Sequence, residues 1–270
     1  MTASCWYQGQ PQSLPLDRGW LYGDALFETL MLRQGQFRLF ALHLERLALG
    51  FERLQFAAAP SLLEQVQEQC AAIAAAHGEG DWVVRLQVSR QLLGRGYKPD
   101  AQATGVIMAQ VTPWAGPVLK PGLSLDYSQV QLSEQPLLAG LKHANRLDQV
   151  LARQQYQGAA QELLMLNGQG QVICGTMTNL LAIKNNVLYT PRLARAGVAG
   201  VMRRWLLEQW CAWGLPVSEQ LLYPQDLLAM EYLMVSNALH GPVPVGQLAG
   251  HALNPDHVKG QRLMAAFEAL

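Results

Sequence analysis

Lys142 is the residue in this sequence whose surroundings best suit an amine nucleophile. Leu137-Leu138-Ala139-Gly140-Leu141 precedes it and Ala144-Asn145-Arg146-Leu147 follows, which puts the amine at an apolar strand end just before a helix. Partial desolvation there would depress its pKa, as attack on a carbonyl requires. The alternative is an ordinary lysine whose stem lies along an apolar surface while its amine stays in water. Only five lysines occur, against fifteen arginines, and the other four have plainer settings. Lys98 and Lys120 precede prolines, Lys184 precedes Asn185-Asn186, and Lys259 lies in a polar C-terminal segment.

Several segments could hold anions. Gly197 and Gly200 come immediately before an apolar-periodic helix, whose first N–H groups and dipole suit a phosphate. Ser236-Asn237 ends a strand with two short polar side chains, although such a pair also makes an ordinary turn. His43 and Arg46 lie three apart on a helical stretch, HLERL. Arg95 and Tyr97, flanked by Gly94 and Gly96, could grip a carboxylate with a guanidinium fork and a phenol, or form an exposed turn. GxSxG, HExxH, Walker A and strand-led GxGxxG motifs do not occur. Cys5, Cys70, Cys174 and Cys211 are widely spaced, which suggests neither a zinc cluster nor a dense disulfide framework, and no metal site is expected.

These residues need a scaffold. Phe27–Arg33 and Gln36–Phe40 around Gln34-Gly35 predict a hairpin, and Ala41–Phe56 and Ser61–His77 predict helices. Trp82–Arg90 and Gly105–Val111 predict strands. A Pro/Gly-rich stretch follows, giving an expected division into a small N-terminal α+β domain (1–113), a linker (114–121) and a larger C-terminal domain (122–270). In the second half the expected strands are Leu123–Val130, Glu162–Leu166, Val172–Ile183 around turns, Val217–Leu221 and Tyr232–Val235. The expected helices are Asn145–Gln157, Val201–Trp213 and one after Pro255. This irregular interleaving favours an α+β fold over a doubly wound parallel sheet.

With 20 basic and 20 acidic residues the formal net charge is zero, which argues against a nucleic-acid partner. Half the residues are hydrophobic, too many for disorder. No apolar run approaches the roughly 20 residues of a membrane span, and the start lacks a signal-peptide pattern, so no membrane partner and a cytoplasmic location are expected.

Taken in order, seven segments resemble the fold-type IV pyridoxal-phosphate enzymes, the family of branched-chain and D-amino-acid aminotransferases. They are DRGWLYGDALFET (Asp17–Thr29), HLERL (His43–Leu47), GRGY (Gly94–Tyr97), LAGLKHANRLDQVLAR (Leu138–Arg153), the MTNL ending at Leu180, YTPRLARAGVAGVMR (Tyr189–Arg203) and SNAL (Ser236–Leu239). The resemblance implies a two-domain fold whose larger domain carries a barrel-like sheet and binds pyridoxal 5'-phosphate. It also implies a homodimer acting on a small molecule. KHANRL followed by SNAL resembles a lyase branch of the family more than its aminotransferases.

Position by position, the resemblance makes Lys142 the Schiff-base lysine and proton carrier and Arg46 a phosphate ligand. Val201 and Met202 become the helix start that caps the phosphate, Ser236 and Asn237 a second phosphate loop, and Val198 a contact on the ring face. Thr29, Arg95 and Tyr97 are the candidate substrate contacts. One position departs from the pattern: Cys174 stands where family members usually carry a glutamate that pairs with the ring nitrogen. A neutral thiol would support carbanion storage poorly, which disfavours transamination more than a lyase reaction. An aminotransferase and a non-catalytic cofactor-binding relative are the competing readings.

Overall fold

A computed structural model describes residues 17–270 with their side chains and the backbone of 5–7 and 10–12. Strands β1 (Cys5–Tyr7) and β2 (Gln10–Gln12) pair with each other alone. Next come α1 (Arg18–Tyr22), β3 (Ala25–Arg33), β4 (Gln36–Phe37), α2 (Phe40–Arg53), α3 (Ala59–Ala76), β5 (Asp81–Arg90) and β6 (Gly105–Pro113). They build an antiparallel sheet in the order β4-β3-β5-β6. Alternation along β3 sends Leu26, Glu28, Leu30 and Leu32 to one face and Phe27 and Thr29 to the other. The first face packs on α2, where His43, Leu47, Gly50 and Phe51 form one buried stripe at helical spacing. Of the expected strand Gln36–Phe40 only the first two residues are extended. Leu39 turns left-handed (φ 52°) and α2 starts at Phe40.

The rest of the chain forms β7 (Leu123–Tyr127), α4 (Leu147–Gln155), β8 (Glu162–Leu166), β9 (Val172–Gly175), β10 (Asn179–Lys184) and β11 (Val187–Pro191). After these come α5 (Val201–Ala212), β12 (Val217–Gln220), α6 (Pro224–Leu228), β13 (Tyr232–Asn237), β14 (Gly241–Leu248), β15 (His251–Ala252) and α7 (Val258–Glu268). Nine strands make one mixed sheet, ordered β12-β11-β10-β13-β14-β7-β8-β9 with β15 beside β14. Only residues 176–178 join β9 to β10, yet the two lie five strands apart in that order, so the sheet curls into a half-barrel.

Strand β14 had no sequence signal because Pro242 and Pro244 argue against a central strand. Its position explains them: the Pro244 carbonyl accepts from Gly122 N (2.9 Å), so the missing donors face β7, whose pairing begins only at Leu123. Among the described residues no helix is long and apolar enough to cross a membrane.

Candidate active site

A cavity of about 740 Å3 opens between the two sheets, within the roughly 300–1,000 Å3 usual for small-molecule sites. Phe27, Thr29 and Arg85 line it from the small sheet, and Cys174–Asn179 from the turn joining β9 to β10. Val198, Gly200 and Val201 line it at the start of α5, and Ser236–His240 at the end of β13 and the turn after it. Lys142, Arg46 and one face of α4 complete the wall. The expected residues Lys142, Arg46, Cys174, Val198, Val201, Ser236, Asn237 and Thr29 therefore converge on one space.

Backbone hydrogen bonds fix Lys142. Phe27 N donates to Lys142 O and Ala144 N to Ala25 O (both 2.9 Å), adding this segment to the edge of β3. On its other side Gly140 pairs with the segment before α5: Gly140 N donates to Gly197 O and Ala199 N to Gly140 O, both 2.9 Å. Gly140 has φ 84°, which a side chain would strain. The Lys142 amine lies 4.3 Å from the Phe27 ring centroid, and the Arg85 guanidinium lies 4.3 Å from the same centroid. Burial, reinforced by Arg46, lowers the Lys142 pKa to about 7, while Glu28 opposes the shift. An appreciable fraction of the amine is thus neutral at physiological pH, in line with the desolvated rather than the solvated of the two sequence readings.

Arg46 is held by a residue that the sequence did not flag. Glu28, fully buried, accepts from Arg46 Nε (2.8 Å) and Nη2 and lies 2.7 Å from His43 Nδ1. Burial alone would raise the Glu28 pKa, but Arg46 and His43 outweigh it and hold the carboxyl at about 2. An ionised Glu28 can only accept, so His43 Nδ1 carries the proton. Burial also lowers the His43 pKa against the pull of Glu28. Arg46 donates once more to Ala199 O (3.0 Å), placing its guanidinium beside the start of α5.

That start can bind an anion. Its N-cap Gly200 supplies no side-chain cap, which leaves the first helical N–H groups free. Met202 contributes at most its amide, because its side chain is in the core. Asn179 fastens the loop by donating to Val198 O (2.9 Å), and a Cβ on Gly200 would lie 2.0 Å from Asn179 Oδ1. Gly200→Ala should therefore destabilise the fold by about 1–3 kcal/mol, as overpacking does. Thermal unfolding checks this, and Asn179→Ala in the same chain should cost less than it does alone. Ser236 Oγ is buried with no hydrogen-bond partner, an orphan that a ligand oxygen would satisfy. Asn237 Oδ1 instead accepts from the amides of Leu239 (3.0 Å) and His240 (2.9 Å) and shapes the turn.

Cys174 is buried, and burial followed by nearby Glu162 pushes its pKa up to about 12, so it faces the cavity as a neutral thiol. Glu162 is saturated: it accepts from the amides of Leu163, Thr176 and Met177 and from the hydroxyls of Thr176 and Thr178.

Arg95 and Tyr97 are not brought to this cavity. Tyr97 is 85% exposed, and the Arg18 guanidinium holds their loop through Gly96 O (2.8 Å) and Tyr97 O (2.6 Å). Within one chain Arg85, Arg146 and Arg153 line it instead. The spacing of Arg146 and Arg153 on α4 was a readable helical signal; Arg85, opposite Thr29 on the neighbouring strand, left none.

The sequence model for amino-transferase class IV matches residues 25–248. Aminodeoxychorismate lyase of Vibrio harveyi is 33% identical over 252 residues, covering 90% of this chain and 91% of that protein. The crystal structure of 4-amino-4-deoxychorismate lyase from Pseudomonas aeruginosa superposes with a TM-score of 0.86 at 35% identity, covering 98% of each chain. Escherichia coli branched-chain amino acid aminotransferase shares the fold, with a TM-score of 0.83 at 20% identity over 98% of this chain and 93% of that one. A buried lysine of lowered pKa, an arginine beside a bare helix start and a match spanning both sheets lead to one assignment: the chain belongs to the amino-transferase class IV family.

Proposed function

We propose that this chain is a pyridoxal-phosphate-dependent lyase that converts 4-amino-4-deoxychorismate to 4-aminobenzoate and pyruvate, a step toward folate. The observation that carries the reading is the cavity's charge. Arg46, Arg85, Lys142, Arg146 and Arg153 line it and, among the described residues, no Asp or Glu does, which suits a phosphate cofactor together with a dianionic substrate. Relatives named for this activity over nearly their whole length support it.

The residues present fit the cofactor. Arg46, the amides of Val201 and Met202, and Ser236 with the Asn237 turn would take the phosphate. Val198 offers an apolar surface for the ring, Cys174 a neutral one, and Lys142 the amine for covalent attachment. When bound, the cofactor supplies an electron-accepting ring that acidifies the C–H beside the substrate's amine.

With its amine unattached, Lys142 is partly neutral near pH 7 and would remove the proton from ring carbon C4. The electron pair of that C–H bond forms the new ring double bond as the C3–O bond breaks, and enolpyruvate departs with its oxygen. The protonated Lys142 returns its proton to the methylene carbon of that fragment, giving pyruvate, while aromatisation of the ring drives the step. Thr29 and Arg85, opposite each other on β3 and β5, face the same space and orient the substrate. In the same reading the protein is a cytoplasmic homodimer, with Leu147 (74% exposed) and Leu151 on α4 as apolar surface available for a partner.

Purified protein loaded with the cofactor and supplied with enzymatically generated aminodeoxychorismate should release 4-aminobenzoate and pyruvate in equal amounts. Transfer of the amino group to a 2-oxo acid, with no pyruvate released, would overturn the reading in favour of an aminotransferase.

A further inference from the structure

Arg46 is engaged by Glu28 and Ala199 O, which leaves three cavity arginines with no acidic partner. Two share a helix face. Arg146, the N-cap of α4, and Gln149, Val150 and Arg153 within it all line the cavity, at spacings of three, four and seven that make one stripe. Seven residues of helix separate their α-carbons by about 10 Å. Arg146 spends only Nε, on His143 O (3.0 Å), and Arg153 only Nη1, on Gln161 O (3.1 Å), so each keeps a terminal NH2 free. Between them Gln149 Oε1 is buried without a hydrogen-bond partner.

Cys174 lies on the same wall, near enough to Arg146 that each acts on the other's ionisation. Glu162, the other charge acting on Cys174, has all its capacity used by the turn beneath. A carboxylate at position 174 would therefore find Arg146 as its partner and remove it from the cavity's free cations.

Resting on the lyase reading, we infer that Arg146 and Arg153 select a ligand carrying two carboxylates, and that a thiol at position 174 leaves Arg146 free for one of them. The probes are chorismate, which has both carboxylates but a hydroxyl in place of the reactive amine, and benzoate, which has one. Calorimetry on the cofactor-loaded protein gives their affinities, and the bound cofactor's absorbance confirms an intact site.

Arg146→Gln and Arg153→Gln should each weaken chorismate by about tenfold or more, as loss of a charged hydrogen bond does, whereas benzoate should respond to at most one of them. Cys174→Glu should weaken chorismate as Arg146→Gln does, and the double variant should be no weaker than either single one. Unchanged chorismate affinity in both arginine variants would overturn the selection, and additive losses in the double variant would overturn the role of Cys174. Wild-type turnover separates the two readings. A protein that forms 4-aminobenzoate but binds chorismate independently of the arginines refutes only the inference, and arginine-dependent chorismate binding without turnover refutes only the lyase.

Discussion

Lys142→Ala should lower turnover by about 10^3-fold or more, because one side chain both attaches the cofactor and carries the proton. The cofactor-loaded wild type should show a long-wavelength absorbance band that the variant lacks at equal protein and cofactor. A variant that kept the band and the activity would move the chemistry to another amine, and none of the other four lysines lines the cavity. Lys142 also leaves a signature in the cofactor-free protein. Its folded pKa, about 7, lies below the 10.5 of an unperturbed lysine, so the folded state binds fewer protons between those values. Burying the amine costs stability fully at and below pH 7, and that cost disappears as pH rises toward 10.5. Lys142→Met should gain stability over the wild type near neutrality and lose that advantage progressively at alkaline pH. Chemical denaturation across the range measures this, and parallel curves would contradict the burial argument.

Glu28→Gln should produce the second large effect. Breaking a buried ion pair on one side leaves the partner uncompensated, at a cost of about 3–5 kcal/mol. Here the partner is Arg46, which Glu28 also aims at the start of α5. Cofactor affinity should therefore fall along with the midpoint of urea unfolding. Because the Glu28 pKa is depressed from 4.5 to about 2, its contribution is complete above pH 4.5 and is lost as pH falls toward 2. The variant's stability should change less across that acidic window than the wild type's. A glutamine variant as stable as the wild type, with undiminished cofactor affinity, would mean that Arg46 needs no anchor.

What the sequence could announce was local. Lys142 between apolar runs, glycines before an apolar helix and the HLERL pair all depend on neighbours within a few residues, and the structure brings Lys142, Gly200 and Arg46 to one cavity. Glu28 was silent because its meaning lies fifteen and eighteen residues away on another element. Arg85 reads as an ordinary strand arginine until Thr29 is laid opposite it. For the glycine-flanked Arg95 and Tyr97 the converse holds: a loop composition suited to gripping a carboxylate does not say where the loop will be pinned, and Arg18 pins it away from the cavity of its own chain. The prolines of β14 concealed a strand for a similar reason, since the permission they need comes from where β7 begins.

The acid-free cavity bears on encounter as well as on binding. The chain as a whole is neutral, yet Arg85, Arg146 and Arg153 face the cavity without an acidic partner, whereas Arg46 is paired with Glu28 and Lys142 is partly neutral. No carboxylate among the described residues lines the cavity to offset them. A dianion diffusing near the mouth is drawn to one place, so the arrangement acts on the rate of capture. Added salt, by screening that field, slows arrival while leaving the chemical step untouched.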